Sequence, residues 1–294
     1  MAQFTNRATL TYGNVTRESN VTVGEIISSF AINKKSVFGV YERGDRIAYI
    51  IGIENVSNTA YNSVTLTDNL GRFNAGTEEA PLNVTPLTFI PGSLSYWVNG
   101  VPETVTATAS IVDNNLVITG INVPAGALVQ IGYEAIANSF APLGEESSIT
   151  NRVTASGTGV SEGIAAEETV NASNALNVNI TKALTPARVS ENGQVTYTFT
   201  LTNSSSRAAE AADALVITDV FNPLINITNV TFAEGTSAPV TWTAGTDYTY
   251  AADGTFTTAS GKLTVPAATF ATSQTGEVIV TPGTSVLTIT GTIA

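Results

Sequence analysis

Apolar and polar residues alternate in short runs along the chain, and the runs are separated by turn-forming residues. In Gln194 to Asn203, Val195, Tyr197, Phe199 and Leu201 alternate with four threonines, the period of a strand with one buried face. Turn signals such as Asn55-Val-Ser-Asn58, Asn99-Gly100, Asp113-Asn-Asn115 and Asp253-Gly254 fall between such runs, as hairpin chemistry requires. No long stretch has helical periodicity. The pattern predicts an all-β chain of many short strands.

The pattern also repeats. Gly44 to Asn55 followed by Val64-Thr-Leu-Thr-Asp68 matches Gly193 to Asn203 followed by Leu215-Val-Ile-Thr-Asp219. Tyr49 aligns with Tyr197, Asn55 with Asn203 and Asp68 with Asp219. Phe30 to Lys34 aligns with Val178 to Lys182, and Tyr96-Trp97 with Thr241-Trp242. Two units of this size read as tandem Greek-key β-sandwiches rather than a solenoid or propeller. The expected organisation is an N-terminal donor strand and connector at 1–23, a first sandwich at 24–158, a linker at 159–173 and a second sandwich at 174–294.

A strand stands out of place. Ile149-Thr-Asn-Arg-Val-Thr-Ala155 is expected to close the first sandwich, and Phe4-Thr-Asn-Arg-Ala-Thr-Leu10 nearly repeats it before any sandwich has begun. Val286 to Ile293 aligns with Val129 to Ala135, so the second sandwich is expected to lack its closing strand. An unpaired edge of this kind can be completed by a strand from another copy. Head-to-tail completion gives an open filament. Phe4, Asn6, Ala8 and Leu10 would form the inserted face. Folding back onto the chain's own second sandwich, or a frayed tail, are the alternatives.

Strand parity places polar groups on apolar faces in both copies. Lys34 shares a face with Phe30 and Ile32, Lys182 with Val178 and Ile180, Asp68 with Val64 and Leu66, and Asp219 with Leu215 and Ile217. Asn151 lies between Ile149 and Val153, and Asn6 between Phe4 and Ala8. Burial drives a lysine toward its neutral, nucleophilic form and a carboxyl toward its protonated form. A neutral amine facing a carboxamide can form an isopeptide bond with loss of ammonia. The trios are Lys34, Asp68 and Asn151 within the first sandwich, and Lys182, Asp219 and Asn6 between subunits. Ordinary salt bridges at strand ends are the alternative. Asn55 and Asn203 compete for the asparagine role, and Glu54 and Glu191 for the acid.

The lysine-ending strand, the Gly-x-x-x-x-Tyr strand with its downstream asparagine, the strand ending Thr-Asp and the Asn-Arg-Val-Thr strand together resemble the conserved Ig-like repeat domain of bacterial and archaeal surface proteins. Two copies in a chain of this size are similar to the repeat proteins of clostridial spore appendages. The resemblance implies a fibrous extracellular role on a cell or spore surface. Gram-positive pilin and adhesin sandwiches join a lysine on an early strand to an asparagine on the last, and the resemblance carries that arrangement to the first trio.

Composition narrows the function further. The chain has neither histidine nor cysteine, which removes the commonest general base, metal ligand and thiolate nucleophile. Its net charge of −12 opposes nucleic acid and anionic lipid. There is no basic-then-apolar leader, no apolar run of membrane-spanning length and no calcium-loop pattern. No enzyme activity, cofactor or metal is expected. The expected partner is the protein itself, with an anchor or tip protein beside it. A monomeric adhesin or carbohydrate-binding module is the alternative. Trp97 and Trp242 could stack on sugar, but their apparent equivalence favours packing.

Overall fold

The computed structural model describes residues 2–26 and 29–294. Apart from a single 3-10 turn at Ala211–Asp213, every regular element among the described residues is a strand. Two separate apolar cores form, one bounded by Phe30 and Val170 and the other by Val195 and Ile289. The chain is a tandem of two β-sandwiches.

The first sandwich has two six-stranded sheets. One runs Val101–Pro102, Ser95–Val98, Leu128–Ala137, Arg46–Asn55 and Phe30–Ser36, with Leu87–Phe89 also paired to Leu128–Ala137. The other runs Thr108–Val112, Asn115–Val123, Tyr61–Asp68, Ser148–Ser156, Ala165–Ala172 and Val40–Tyr41. Facing side chains such as Tyr49, Ile51, Ile53, Leu66, Ile118 and Ile131 are fully buried. The alternation of Arg46 to Asn55 is thus answered by burial of one whole face, with Gly52 the one buried residue on the other.

Two boundaries shift from expectation. Residues 159–173 are not a linker: Ala165–Ala172 pairs antiparallel with Ser148–Ser156 along seven positions, including Asn151↔Glu168. The Asn-Arg-Val-Thr strand is therefore an interior strand, and two strands together close this side of the sandwich. The N-terminal segment is also more than one strand. Ala2–Asn6 pairs with Thr22–Ile26, and Thr9–Tyr12 pairs with Val15–Glu18. Gly13, at φ +57°, sits in the two-residue turn joining the second pair. The result is a two-stranded ribbon whose partner strand crosses the expected 23/24 boundary.

The second sandwich has one five-stranded sheet, Val178–Thr185, Gln194–Asn203, Gly283–Ile293, Ile225–Glu234 and Val240–Thr241. Its second sheet has only three strands, Thr218–Val220, Thr255–Thr258 and Tyr248–Tyr250. The pairing Asp219↔Phe256 repeats Asp68↔Leu116, which fixes the correspondence between the units. Thr218–Val220 stands where Tyr61–Asp68 stands. Among the described residues nothing occupies the position of Ser148–Ser156 beside it. The missing closing strand is as the sequence pattern predicts.

An insertion distinguishes the second unit. Where the first turns directly from Val123 to Leu128, the second carries the hairpin Thr269–Thr272 and Val278–Thr281. This hairpin reaches the first sandwich: Val278 N–H donates to the Ser139 carbonyl at 2.8 Å, and Arg43 Nη2 donates to the Val278 carbonyl at 2.6 Å. Gly276, at φ +90°, lies against Val84 and Leu82, where a Cβ would collide.

The tryptophans are not equivalent. Ile131 pairs with Tyr96 in the first unit, whereas the corresponding Leu287 pairs with Phe232. Trp242 lies beyond the next strand and packs on Phe232, with ring centroids 5.1 Å apart.

Candidate functional site

Strand alternation brings one long polar side chain from each of four strands into the first core. Lys34, Asp68, Tyr133 and Asn151 point inward from Phe30–Ser36, Tyr61–Asp68, Leu128–Ala137 and Ser148–Ser156. Lys34 Nζ donates to Asp68 Oδ2 at 2.5 Å, and both side chains are 0% exposed. Tyr133 donates its hydroxyl proton to the same oxygen at 2.7 Å, and Asn151 Nδ2 donates to the Tyr133 oxygen at 2.8 Å. Asp68 Oδ1 accepts the Leu70 N–H at 3.0 Å. The structure thus joins all three members of the predicted first trio, through a tyrosine.

The electrostatics follow from burial. Desolvation lowers the Lys34 pKa to about 8, against the opposing pull of Asp68. The ammonium lies 4.8 Å and 5.7 Å from the ring centroids of Tyr49 and Tyr133, which stack on each other. Burial raises both tyrosine pKa values. Among the described residues three buried side-chain polar atoms have no hydrogen-bond partner, and two of them lie here: Asn151 Oδ1 and the Tyr49 hydroxyl. Tyr49 faces Asn151 without forming a hydrogen bond of ordinary geometry. Such an orphan carboxamide oxygen is costly, and it is the atom a proton donor would engage if the carboxamide were attacked.

Tyr133 is absent from the sequence-predicted trio. Its signal is the alternation Val129, Ile131, Tyr133, Ala135, which puts a hydroxyl on the core face, but a tyrosine there also reads as core packing.

The second centre is the same pair in an open setting. Lys182 and Asp219 form a short ion pair, but their side chains are 40% and 18% exposed. The ammonium lies over Tyr197 at 4.7 Å and near Phe199 and Phe221. Tyr133 corresponds to Ile289, since Tyr49↔Tyr133 matches Tyr197↔Ile289. Ile180 and Leu184, which share a face with Lys182, are each exposed. Asn6 is not brought here within one chain. It pairs with Thr22 in the ribbon, whose Phe4 and Leu10 are 56% and 64% exposed, and Ala8 is exposed with them.

The competing residues have other roles. Asn55 Nδ2 donates to the Thr59 and Pro124 carbonyls at 2.9 and 2.8 Å, and its Oδ1 accepts from Ser57 N–H and Oγ. Asn203 repeats this with the Arg207 and Pro266 carbonyls and Ser205. Both are buried corners with both ends of the carboxamide bonded. Glu54 and Glu191 are exposed.

No protein-family model matches the chain, and no curated protein sequence matches it. Solved structures similar to it include the pilus backbone protein RrgB of Streptococcus pneumoniae, at 15% identity and a TM-score of 0.35, covering 90% of this chain and 50% of that one. The chain thus spans about half the length of that protein. The major pilin subunit BcpA of Bacillus cereus is 10% identical, with a TM-score of 0.35 and coverage of 99% and 74%. A collagen-binding domain from a Staphylococcus aureus adhesin is 13% identical, with a TM-score of 0.30 and coverage of 50% and 99%. Likeness at this level carries no functional weight.

Proposed function

We propose that this protein is the structural subunit of a self-assembling extracellular or spore-surface fibre. The N-terminal segment of one subunit completes the second sandwich of the next, head to tail. The observation that carries this reading is the pairing of a vacancy with a matching spare part. Thr218–Val220 ends its sheet where Tyr61–Asp68 has a further neighbour, and Phe4 to Leu10 nearly repeats the sequence of that neighbour. Ile217 and Phe221 direct backbone groups to Thr258 and Gly254, so Thr218 aims its N–H and carbonyl, and Val220 its carbonyl, at the vacant side by strand alternation, while Val220 N–H donates to Asp219 Oδ1 at 3.0 Å. A strand added there gains main-chain hydrogen bonds and covers Ile180 and Leu184.

The buried quartet of the first sandwich supports an intramolecular Lys34–Asn151 isopeptide bond. Proton transfer from Lys34 to Asp68 gives a neutral amine and a protonated acid. The amine nitrogen bonds to Asn151 Cγ, and the bond from Cγ to Nδ2 breaks. Asp68, through the Tyr133 hydroxyl that bridges it to Nδ2, supplies a proton to the departing nitrogen and recovers one from the amine, so that ammonia leaves and an amide remains. The bond would close a loop of roughly 100 residues, which is worth about 4–5 kcal/mol by the loop-entropy account used for disulfides. At the second centre the same chemistry would join Lys182 to Asn6 of the next subunit, with Ile289 leaving no phenol between carboxamide and acid.

Deleting residues 1–12 tests the assembly. The 294-residue chain should form filaments visible by electron microscopy, and the truncated chain should stay monomeric. Filaments from the truncated chain would refute the reading. Intact mass tests the bond separately: the protein should weigh about 17 Da less than its sequence, one ammonia, and Asp68→Ala should restore the full mass.

A further inference from the structure

The N-terminal ribbon repeats the closing pair of the first sandwich in pairing as well as in sequence. In the closing pair Ile149 faces Val170, Thr150 faces Thr169 and Asn151 faces Glu168. In the ribbon Phe4 faces Gly24, Thr5 faces Val23 and Asn6 faces Thr22. Both ribbons therefore carry their asparagine at the same register. The arginine that follows is ion-paired across the strands in each, Arg152 to its facing Glu167 at 3.0 Å and Arg7 to Glu18 at 2.7 Å, although in the ribbon Glu18 faces Thr9 and the register shifts by one residue between Asn6↔Thr22 and Thr9↔Glu18.

Two compensations mark the ribbon as a fitted part. Where the closing pair sets isoleucine against valine, the ribbon sets phenylalanine against glycine, and the Phe4 ring lies over Gly24 where a Cβ would collide. A large side chain opposite none fills a space like that of two medium ones. The second compensation involves the outer strand. In the first sandwich Glu168 accepts from Lys35 Nζ at 3.0 Å and from Ser36 Oγ at 2.9 Å, tying Ala165–Ala172 to the lysine strand. Lys35 and Ser36 correspond to Ala183 and Leu184 by the alignment of Lys34 with Lys182. The ribbon position matching Glu168 is Thr22. The charge is lost on both sides of the prospective contact together.

We infer that the unit donated to the neighbouring copy is the intact two-stranded ribbon, residues 2–26, rather than a single strand. This deepens the fibre reading and rests on it. Phe4 to Leu10 takes the place of Ser148–Ser156 beside Thr218–Val220, and Thr22–Ile26 takes the outer place of Ala165–Ala172 against Val178–Thr185. The register follows from Val153↔Asp68 and Ala155↔Leu66: Ala8 lies opposite Asp219 and Leu10 opposite Ile217 of the next subunit. A ribbon formed before docking loses less conformational freedom on binding than a free strand does.

A disulfide lock separates the two forms of donation. Thr5 and Val23 face each other directly on the side away from the inserted residues, and directly opposed antiparallel residues bring their Cβ atoms to about 4.5–5.5 Å, near the reach of a cross-link. In Thr5→Cys/Val23→Cys, the only cysteines in the chain, the oxidised ribbon cannot separate. Intact-ribbon donation predicts that oxidised and reduced protein assemble to the same extent by sedimentation. Assembly of the reduced form alone would overturn the inference and leave strand donation standing. No assembly by the unmodified chain would overturn both. A second variant tests the outer strand: Thr22→Glu should lose assembly and Ala183→Lys should restore it, whereas failure of that rescue contradicts the seating of Thr22 beside Ala183.

Discussion

The two Lys–Asp centres are the same chemical pair in two environments, so they should respond differently to the same substitution. In an Asn151→Ala background, where no isopeptide bond forms, Asp68→Ala leaves the Lys34 ammonium fully buried without a counterion and deprives the Tyr133 hydroxyl and the Leu70 N–H of their acceptor. Breaking a buried pair from one side costs about 3–5 kcal/mol, and the stranded donors hold the loss at the upper end. Asp219→Ala removes a partner from a lysine that is 40% exposed and that water can solvate, so the loss is about 0–1 kcal/mol. Each sandwich carries one tryptophan, Trp97 or Trp242, the only two in the chain. Trp242→Phe and Trp97→Phe backgrounds therefore report the two units separately in urea. With a slope of about 2 kcal/mol per molar, Asp68→Ala should lower the first midpoint by about 2 M, and Asp219→Ala should lower the second by less than about 0.5 M. The comparison uses a chain lacking residues 1–26, which keeps the second centre open. Equal losses at the two centres would refute the assignment of one closed and one open site.

Two further outcomes follow from the same geometry. In Asn151→Ala, which cannot form the amide, Lys34 titrates at about 8 when folded and near 10.4 when unfolded. Between those values the unfolded chain holds the extra proton, so stability should rise with pH by roughly 3 kcal/mol and then fall as the unfolded tyrosines ionise; urea midpoints from pH 7 to 11 check this, and a flat profile contradicts the buried amine. Asn203→Ala and Asn55→Ala each strand buried carbonyls that the carboxamide now satisfies, so each should cost about 2–4 kcal/mol in its own sandwich without altering ammonia loss. A mass change in Asn55→Ala would mean that Asn151 is not the acceptor.

The sequence made the strand faces legible because strand parity is a local property. Lys34, Asp68 and Asn151 could each be placed inward from neighbours one or two residues away, and their convergence follows from their three strands sharing one core. Tyr133 was less legible, since a tyrosine on an apolar face has no local mark distinguishing a network member from core. Ala165–Ala172 carries no strand signature of its own, because Ala-Ala-Glu-Glu follows a glycine-rich stretch and shows little alternation. Its strand character comes from pairing with Ser148–Ser156 and from Glu168 holding Ser36 and Lys35. The ribbon was hidden for the same reason: what pairs Phe4 with Gly24 is a contact across twenty residues, in which the absent side chain matters as much as the present one. Trp97 and Trp242 aligned by residue type, but strand register, which type does not encode, sets them on different strands.

Mixing two chains that cannot polymerise alone tests the central claim most directly. One lacks residues 1–26 and keeps its open second sandwich. The other keeps its ribbon but carries Thr218→Pro, which removes an N–H aimed at the vacant edge and blocks strand addition. Each should sediment as a monomer, and an equimolar mixture should give a heterodimer and nothing larger, because one ribbon then meets one acceptor. Two monomers in the mixture, or filaments from either chain alone, would contradict head-to-tail completion of the second sandwich.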